Sequence, residues 1–227
     1  FRSERVAYDV VLQAETGFMY MNGQADGPPT KMPVALIDVL AAHQLKEGVL
    51  CALIQKSKTG KGSCVEVSLE KAALASLANQ ASYFLMSGNN PQRLGSLHPN
   101  IAPYGEQFET QDNKWIVLAI GSDEQFRKLC TILHIQETAS NPLFTSNTLR
   151  VENRTVLQVL LQTEFRKLTC TLFEQEAQLN GIPYGRVRNM TEVFEREAAV
   201  KNVIAETIEG TETKRMSSVA FRIKAND

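Results

Sequence analysis

A carboxylate at the mouth of an apolar helix can serve two ends. Asp38 sits in the stretch ALIDVLAAHQLKEGVL. The apolar positions that follow are Val39, Leu40, Ala42, Leu45, Val49, Leu50, Ala52, Leu53 and Ile54, a broad and mostly buried helical stripe. As an N-cap, Asp38 would accept backbone N–H groups and stabilise the helix by about 0.5–2 kcal/mol. As a nucleophile, it would stay ionised at the positive helix end and attack an activated carbonyl to form a covalent intermediate. The two roles are compatible, and spacing alone does not separate them.

The second candidate is a loop. Residues 89–105, NNPQRLGSLHPNIAPYG, are rich in proline and glycine. Loops of this length in compact proteins are commonly functional, and polar loop residues such as His98, Asn100 and Tyr104 are site candidates. His43 reads as a satisfied or exposed helix residue, and His134 as a partner for a helix C-terminal dipole. KSKTGKGS resembles a phosphate loop only superficially. The GxxxxGK[ST] pattern is absent, and the segment follows a helix and precedes a strand, so it reads as a solvated turn. No Ser-His-Asp or Cys-His pattern is evident. Cys51, Cys64, Cys130 and Cys170 are widely spaced and point to neither a metal site nor a disulfide framework.

The elements that must position these residues follow from local pattern. Residues 1–37 read as loop and short helix, with Pro33 keeping the chain extended up to the acid. After the Asp38 helix, CVEVSL alternates as a strand with Val65, Val67 and Leu69 on one face. LEKAALASLANQASYFLMSG reads as one helix of small residues closed by Gly88. EQFETQDNKWIVLAI is a hairpin. In SDEQFRKLCTILHI, Ser122 and Gln125 form a capping box, and Phe126, Leu129, Cys130 and Leu133 line one face. Further helices are expected at about 150–166, from cap Thr169 to Gly181, and at about 191–200, with SSVAFRI as a final strand.

The composition is that of an ordinary soluble globular protein: 227 residues, 43% hydrophobic and 22% charged. A net charge of −1 gives no reason to expect nucleic acid or an anionic membrane as partner. No run approaches the about 20 apolar residues of a membrane span, and no signal peptide is visible, so the expected location is cytoplasmic. The chain opens on Phe1 and reads as a piece of something longer.

Taken in order, AYDVVLQAETGFMYMNG, GPPTKMPVALIDVLAA and ALIQKSKTGKGSCVEVSLEKAALASL resemble the class III CoA-transferases of the CaiB/BaiF type, the family of formyl-CoA transferase and carnitine CoA-transferase. The likeness continues through RLGSLHPNIAPYGEQFETQDNKWIVLAIGSDEQFRKLC and NPLFTSNTLRVENRTVL to GIPYGRVRNMTEVF. The HPNIAPYG form looks most like the succinate/glutarate branch.

The resemblance implies an α/β fold: part of a Rossmann-like large domain, then a smaller α+β domain, in a family of interlocked dimers. It places part of the CoA-binding domain at 1–90, an active-site loop at 91–105 and the small domain at 106–227. It implies that Asp38 is the nucleophile, working through an aspartyl anhydride and an aspartyl-CoA thioester. Val6, Ala7, Tyr8 and Asp9 would touch CoA. The loop residues Gly95, His98, Asn100, Ile101 and Ala102 would close over the anhydride, although some members carry a glycine run there. Coenzyme A or acyl-CoA enters as substrate and a small carboxylic acid as acceptor, with no permanent cofactor or metal and a homodimeric full-length form. The family's N-terminal nucleotide-binding portion and its C-terminal return segment lack counterparts here, so this piece is expected to bind CoA poorly alone. Two other readings stand beside transfer: an α-methylacyl-CoA racemase-like isomerase, with an acid equivalent to Asp38 in a proton-shuttling pair, and an inactive fragment.

Overall fold

The computed structural model describes residues 6–224. The chain divides into two compact units, residues 1–105 and 106–227.

The described part of the first unit is built from helices: α1 (Asp9–Glu15), α2 (Phe18–Met21), α3 (Leu36–Thr59), α4 (Leu69–Ala75) and α5 (Ala78–Ser87). A small core gathers Leu12 of α1, Ile37 of α3 and Ala73 of α4, with Phe18, Leu40 and Leu69 against it. Helix α3 stops at Gly60, whose left-handed backbone lets its N–H reach Lys56 O. Ser68 caps α4 by accepting the Lys71 N–H.

Three expectations for this unit are corrected. The α3 stripe is not mostly buried. Only Ile37 and Ala41 are fully covered, while Val39, Leu45, Val49 and Leu50 are exposed and Leu53 and Ile54 keep 55% and 57% of their surface. No described element packs over that side of the helix. CVEVSL forms no strand: among the described residues no segment of the unit pairs with its backbone as a ladder. It runs instead beside α3, where a Cβ at Gly48 would meet Val65 Cγ1 at 2.6 Å. The single helix expected over 69–88 is two helices. Ala78 has φ 48, which interrupts the helical path, and Gly88 closes the second helix as expected.

The second unit joins helices to two small sheets. Strands β1 (Tyr104–Glu109), β2 (Trp115–Ala119) and β3 (Tyr184–Arg186) lie in the order β1-β2-β3. β2 and β3 pair antiparallel, with Val117 opposite Gly185. Around them run α6 (Asp123–Ile132), α7 (Asn147–Glu152), α8 (Arg154–Phe165), α9 (Cys170–Leu179), α10 (Met190–Phe194) and α11 (Glu197–Val200). The core is aromatic. Phe108 stacks on Phe165 with ring centroids 4.8 Å apart, and Phe165 meets Phe173 at the same distance.

The expected hairpin and the stripe of α6 are present, with Phe126, Leu129, Cys130 and Leu133 all buried. The capping box is half formed. Ser122 accepts the Gln125 N–H, but the Gln125 side chain reaches back to Gly121 N rather than to Ser122 N. The helix expected over 150–166 is two, because Asn153 ends α7 and opens α8. SSVAFRI is not a strand. The final sheet is the hairpin of β4 (Val203–Ile208) and β5 (Thr211–Met216). Glu209 and Gly210 both take positive φ in its two-residue turn, the geometry that matches the twist of the flanking strands.

Candidate functional site

Asp38 is the third residue of α3, and Ala35 occupies the N-cap position. The expected capping role is therefore corrected: Asp38 lies inside the first turn and its carboxylate is exposed to solvent. Ala35 has no side-chain acceptor, so the orphan N–H groups of α3 must find one elsewhere. One comes from α1. Asp9 Oδ1 accepts the Ile37 N–H at 2.7 Å, one residue before Asp38.

Asp9 does not act alone. Its Oδ2 accepts from Gln13 Nε2 at 2.6 Å, one helical turn along α1. Gln13 is fully buried, and its Oε1 accepts the Met32 N–H at 2.8 Å. The two side chains tie the approach at Met32 and the first turn of α3 to a single helix. Gln13 had no place among the expected site residues. Its spacing of four from Asp9 on DVVLQAE was the available signal.

The rest of the expected CoA segment lies in front of α1. Val6 and Tyr8 expose 71% and 69% of their surface, and Ala7 is exposed too. The Tyr8 carbonyl opens α1 by accepting from Val11 N and Leu12 N. Asp9 thus joins this segment to Asp38 through Ile37.

The loop is held from below. Gly95 N donates to Gly23 O at 2.9 Å, and Arg93 Nη1 donates to Tyr20 O at 2.9 Å with its guanidinium over the Tyr20 ring. His98 N donates to Tyr104 O, and the two rings meet edge to face at 5.3 Å. Asn100 N donates to His98 Nδ1 at 3.2 Å. Ile101 is half-buried and Ala102 fully buried, just before the cis Ala102–Pro103 bond. Of the nominated loop residues, Gly95, His98 and Asn100 line a pocket of about 510 Å³ with Tyr83 and Gln80 of α5. Asp38 does not line it. An adjoining apolar pocket of about 430 Å³ is formed by Tyr20, Met21, Leu77 and Phe84. The structure ties Ile37, the residue before Asp38, to Asp9 by a hydrogen bond, and gathers part of the loop at a separate pocket.

Titration is perturbed in the second unit, where the causes are structural. Backbone donation from Asn189, then Lys114 and Arg186, hold Glu192 down to about 2. Cys170 N–H and the Thr110 hydroxyl lower Asp112. Burial pushes the Cys130 thiol up to about 12. Among the described residues no His, Cys, Asp and Glu side chains gather to hold a metal, and no helix is long and apolar enough to cross a membrane.

These features can be set beside known proteins. The chain is 35% identical over 187 residues to a succinate–glutarate CoA-transferase of Agrobacterium fabrum, covering 82% of this chain and 46% of that one. It is 32% identical over 200 residues to the human succinyl-CoA:glutarate CoA-transferase, covering 88% of this chain and 45% of that one. It therefore spans about half the length of the curated relatives it matches. A solved CaiB/BaiF family protein from Brucella suis superimposes with a TM-score of 0.83 at 32% identity, over 99% of this chain and 58% of that one. The mixed helix-and-sheet architecture agrees with that likeness, and the model of CoA-transferase family III matches residues 2–227, so the chain belongs to CoA-transferase family III.

Proposed function

We propose that this chain carries the nucleophile of an enzyme that moves CoA from an acyl-CoA thioester to a carboxylic acid, with Asp38 as that nucleophile. The observation that carries the reading is the first turn of α3 itself. Asp38 stands there with an exposed carboxylate while Asp9 meets a demand for a backbone acceptor that Ala35 cannot. An acid released from capping is free to react.

The chemistry needs a carboxylate. Asp38 attacks the thioester carbonyl, the C–S bond breaks, and CoA leaves as thiolate with an acyl-aspartyl anhydride behind it. The thiolate then attacks the aspartyl carbonyl and expels the donor carboxylate, giving an aspartyl-CoA thioester. The acceptor carboxylate attacks that thioester and forms a second anhydride, again releasing thiolate. Thiolate attack on the acceptor's acyl carbon gives the new acyl-CoA and returns Asp38. No water enters, so a loop that excludes water is an advantage.

Val6, Ala7 and Tyr8, exposed ahead of α1, are proposed to touch CoA; Asp9, expected to touch it too, has both carboxylate oxygens taken by Gln13 Nε2 and Ile37 N–H and is proposed to border CoA without bonding it. Gly95, His98, Asn100, Ile101 and Ala102 are proposed as the loop that covers the anhydride. The first unit is proposed to be part of a Rossmann-like domain completed by other segments of the whole polypeptide, and the whole protein is proposed to be a cytoplasmic homodimer. The exposed apolar side of α3 supports an assembly that covers it. Succinyl-CoA and a dicarboxylic acceptor are the proposed substrates, from the names of the relatives.

The test traps the intermediate. The complete reading frame is mixed with succinyl-CoA, quenched with hydroxylamine and mapped by mass spectrometry. A hydroxamate on residue 38 that is absent in Asp38→Asn is the expected result. An unmodified Asp38 across several acyl-CoA donors overturns the reading.

A further inference from the structure

We propose that Asp9 is a positioning residue for Asp38, acting through a hydrogen-bond chain whose direction, opposite Gln13, only a carboxylate at position 9 can complete. The inference rests on the nucleophile reading above.

The chain begins and ends on backbone. Met32 N–H can only donate, so the Gln13 atom facing it at 2.8 Å must be the oxygen, Oε1. The Gln13 amide nitrogen then has to face Asp9, which it does at 2.6 Å. At the far end Ile37 N–H can also only donate, and it points at the other Asp9 oxygen at 2.7 Å. Position 9 must therefore accept on both sides. An aspartate does so, whereas an asparagine accepts on one side and turns an NH2 toward the NH2 of Gln13.

Burial makes the direction matter. Gln13 is fully buried, so its amide has no water to turn to, and in Asp9→Asn its NH2 keeps only the long contact to Val34 O at 3.5 Å. Flipping Gln13 only moves the mismatch to Met32. Ile37 is the residue through which the chain controls chemistry. Its side chain is fully buried in the core with Leu12 and Ala73, and its N–H is fixed by Asp9. Asp38 follows it directly. With Ala35 offering no side-chain cap, Asp9 is the side chain that anchors this turn. A displacement of about 1 Å at a reacting group costs on the order of 10²-fold in rate.

The same logic supplies a rescue. In the double variant Asp9→Asn/Gln13→Glu, the asparagine oxygen accepts Ile37 N–H and its NH2 donates to the new glutamate. The other glutamate oxygen accepts Met32 N–H. These three hydrogen bonds return with the middle one reversed, the long donation from position 13 to Val34 O at 3.5 Å is given up, and the charge moves from position 9 to position 13.

The experiment follows the rate of hydroxamate formation at residue 38 with succinyl-CoA in the complete protein, alongside calorimetric binding of CoA and thermal melting. Asp9→Asn is expected to slow labelling by about 10- to 100-fold, with CoA affinity changed by less than about twofold. The double variant is expected to recover labelling to within about threefold of wild type. Wild-type labelling in Asp9→Asn, loss of CoA affinity as its main defect, or failure of the double variant to recover a folded protein's rate would each overturn the proposal. If the wild type itself is never labelled at residue 38, the transferase reading fails. The clamp is then judged by amide hydrogen exchange at Met32 and Ile37, with faster exchange in Asp9→Asn and restored protection in the double variant expected. Unchanged protection overturns it.

Discussion

The carbonyl oxygen of Ser96 occupies the place where a Cβ on Gly105 would stand. Gly105 also takes φ +89, a backbone conformation that L side chains rarely adopt. The two residues close the neck of the loop proposed to cover the anhydride, and His98 N–H bonded to Tyr104 O braces it from inside. A loop that is to exclude water must return to one shape, and this neck limits the shapes open to it.

Gly105→Ala is therefore expected to damage the loop more than its size suggests. The left-handed conformation alone costs about 1–2 kcal/mol for a residue with a Cβ, and the clash with Ser96 is with backbone, which cannot turn aside. Transfer should fall by at least tenfold while hydrolysis of the acyl-enzyme rises relative to transfer, read as free acid released per acyl-CoA consumed. Wild-type partitioning in a variant that still melts cooperatively would remove the loop neck from the mechanism.

Acid should weaken the second unit through Glu192 and Asp112. The Asn189 N–H, then Lys114 and Arg186, hold the Glu192 carboxyl at about 2, below its ordinary 4.5. Between those two values the unfolded chain binds the proton and the folded chain does not. The stabilisation is thus complete above about pH 4.5 and is lost as pH falls toward 2. Asp112, lowered first by Cys170 N–H, adds in the same direction. Glu192→Gln should lower the urea midpoint at pH 7 and flatten its fall between pH 5 and 2. An equally steep fall in the variant would place the acid sensitivity elsewhere.

What could be read from the sequence was what is decided locally. Helix α6 announces itself by Ser122 and an amphipathic stripe, and α9 by Thr169 and Gly181, because caps and stripes act within a few residues. The strand at Cys64–Leu69 failed because alternation states a preference, and a strand also needs a neighbour to bond with. The hairpin of β4 and β5 went unseen because TETKRM is polar and nearly all exposed, leaving no period to detect. Asp38 could be singled out by type and place, yet its cap lies 28 residues upstream of Ile37, beyond any local pattern. The nucleophile reading, kept beside a capping role, came from the family likeness, and the structure shows Asp9, another acid, accepting the Ile37 N–H.

The four cysteines should separate cleanly by reactivity. Cys51 and Cys64 are exposed, while Cys130 and Cys170 are buried, with both of the latter thiols raised above their usual range by desolvation. A thiolate is the reacting form, so burial and a raised pKa suppress reaction together. Brief iodoacetamide treatment of chain 1–227 at pH 8 should label Cys51 and Cys64, with Cys130 and Cys170 appearing only in denaturant. Early labelling of Cys130 would mean that the α6 face opens in the native state.

A marked loss of stability from one polar side chain is expected at Arg150. It is 1% exposed, donates to Phe144 O at 3.1 Å and to Asp123 Oδ1 at 2.7 Å, and lies over the Phe126 ring at 4.6 Å. It thereby ties the start of α6 to α7. In Arg150→Met the stem still packs, so the change isolates the head group. Asp123 is half exposed and can return to water, but the Phe144 carbonyl loses a buried partner. The cost should be about 2–3 kcal/mol, made of one buried acceptor left bare and one cation–π contact removed. Urea unfolding of Arg150→Met measures it, and Asp123→Asn, which leaves the Phe144 bond and the ring contact in place, should cost less than half as much. Equal losses in the two variants would show that the ion pair, and not the buried head group, holds α6 to α7.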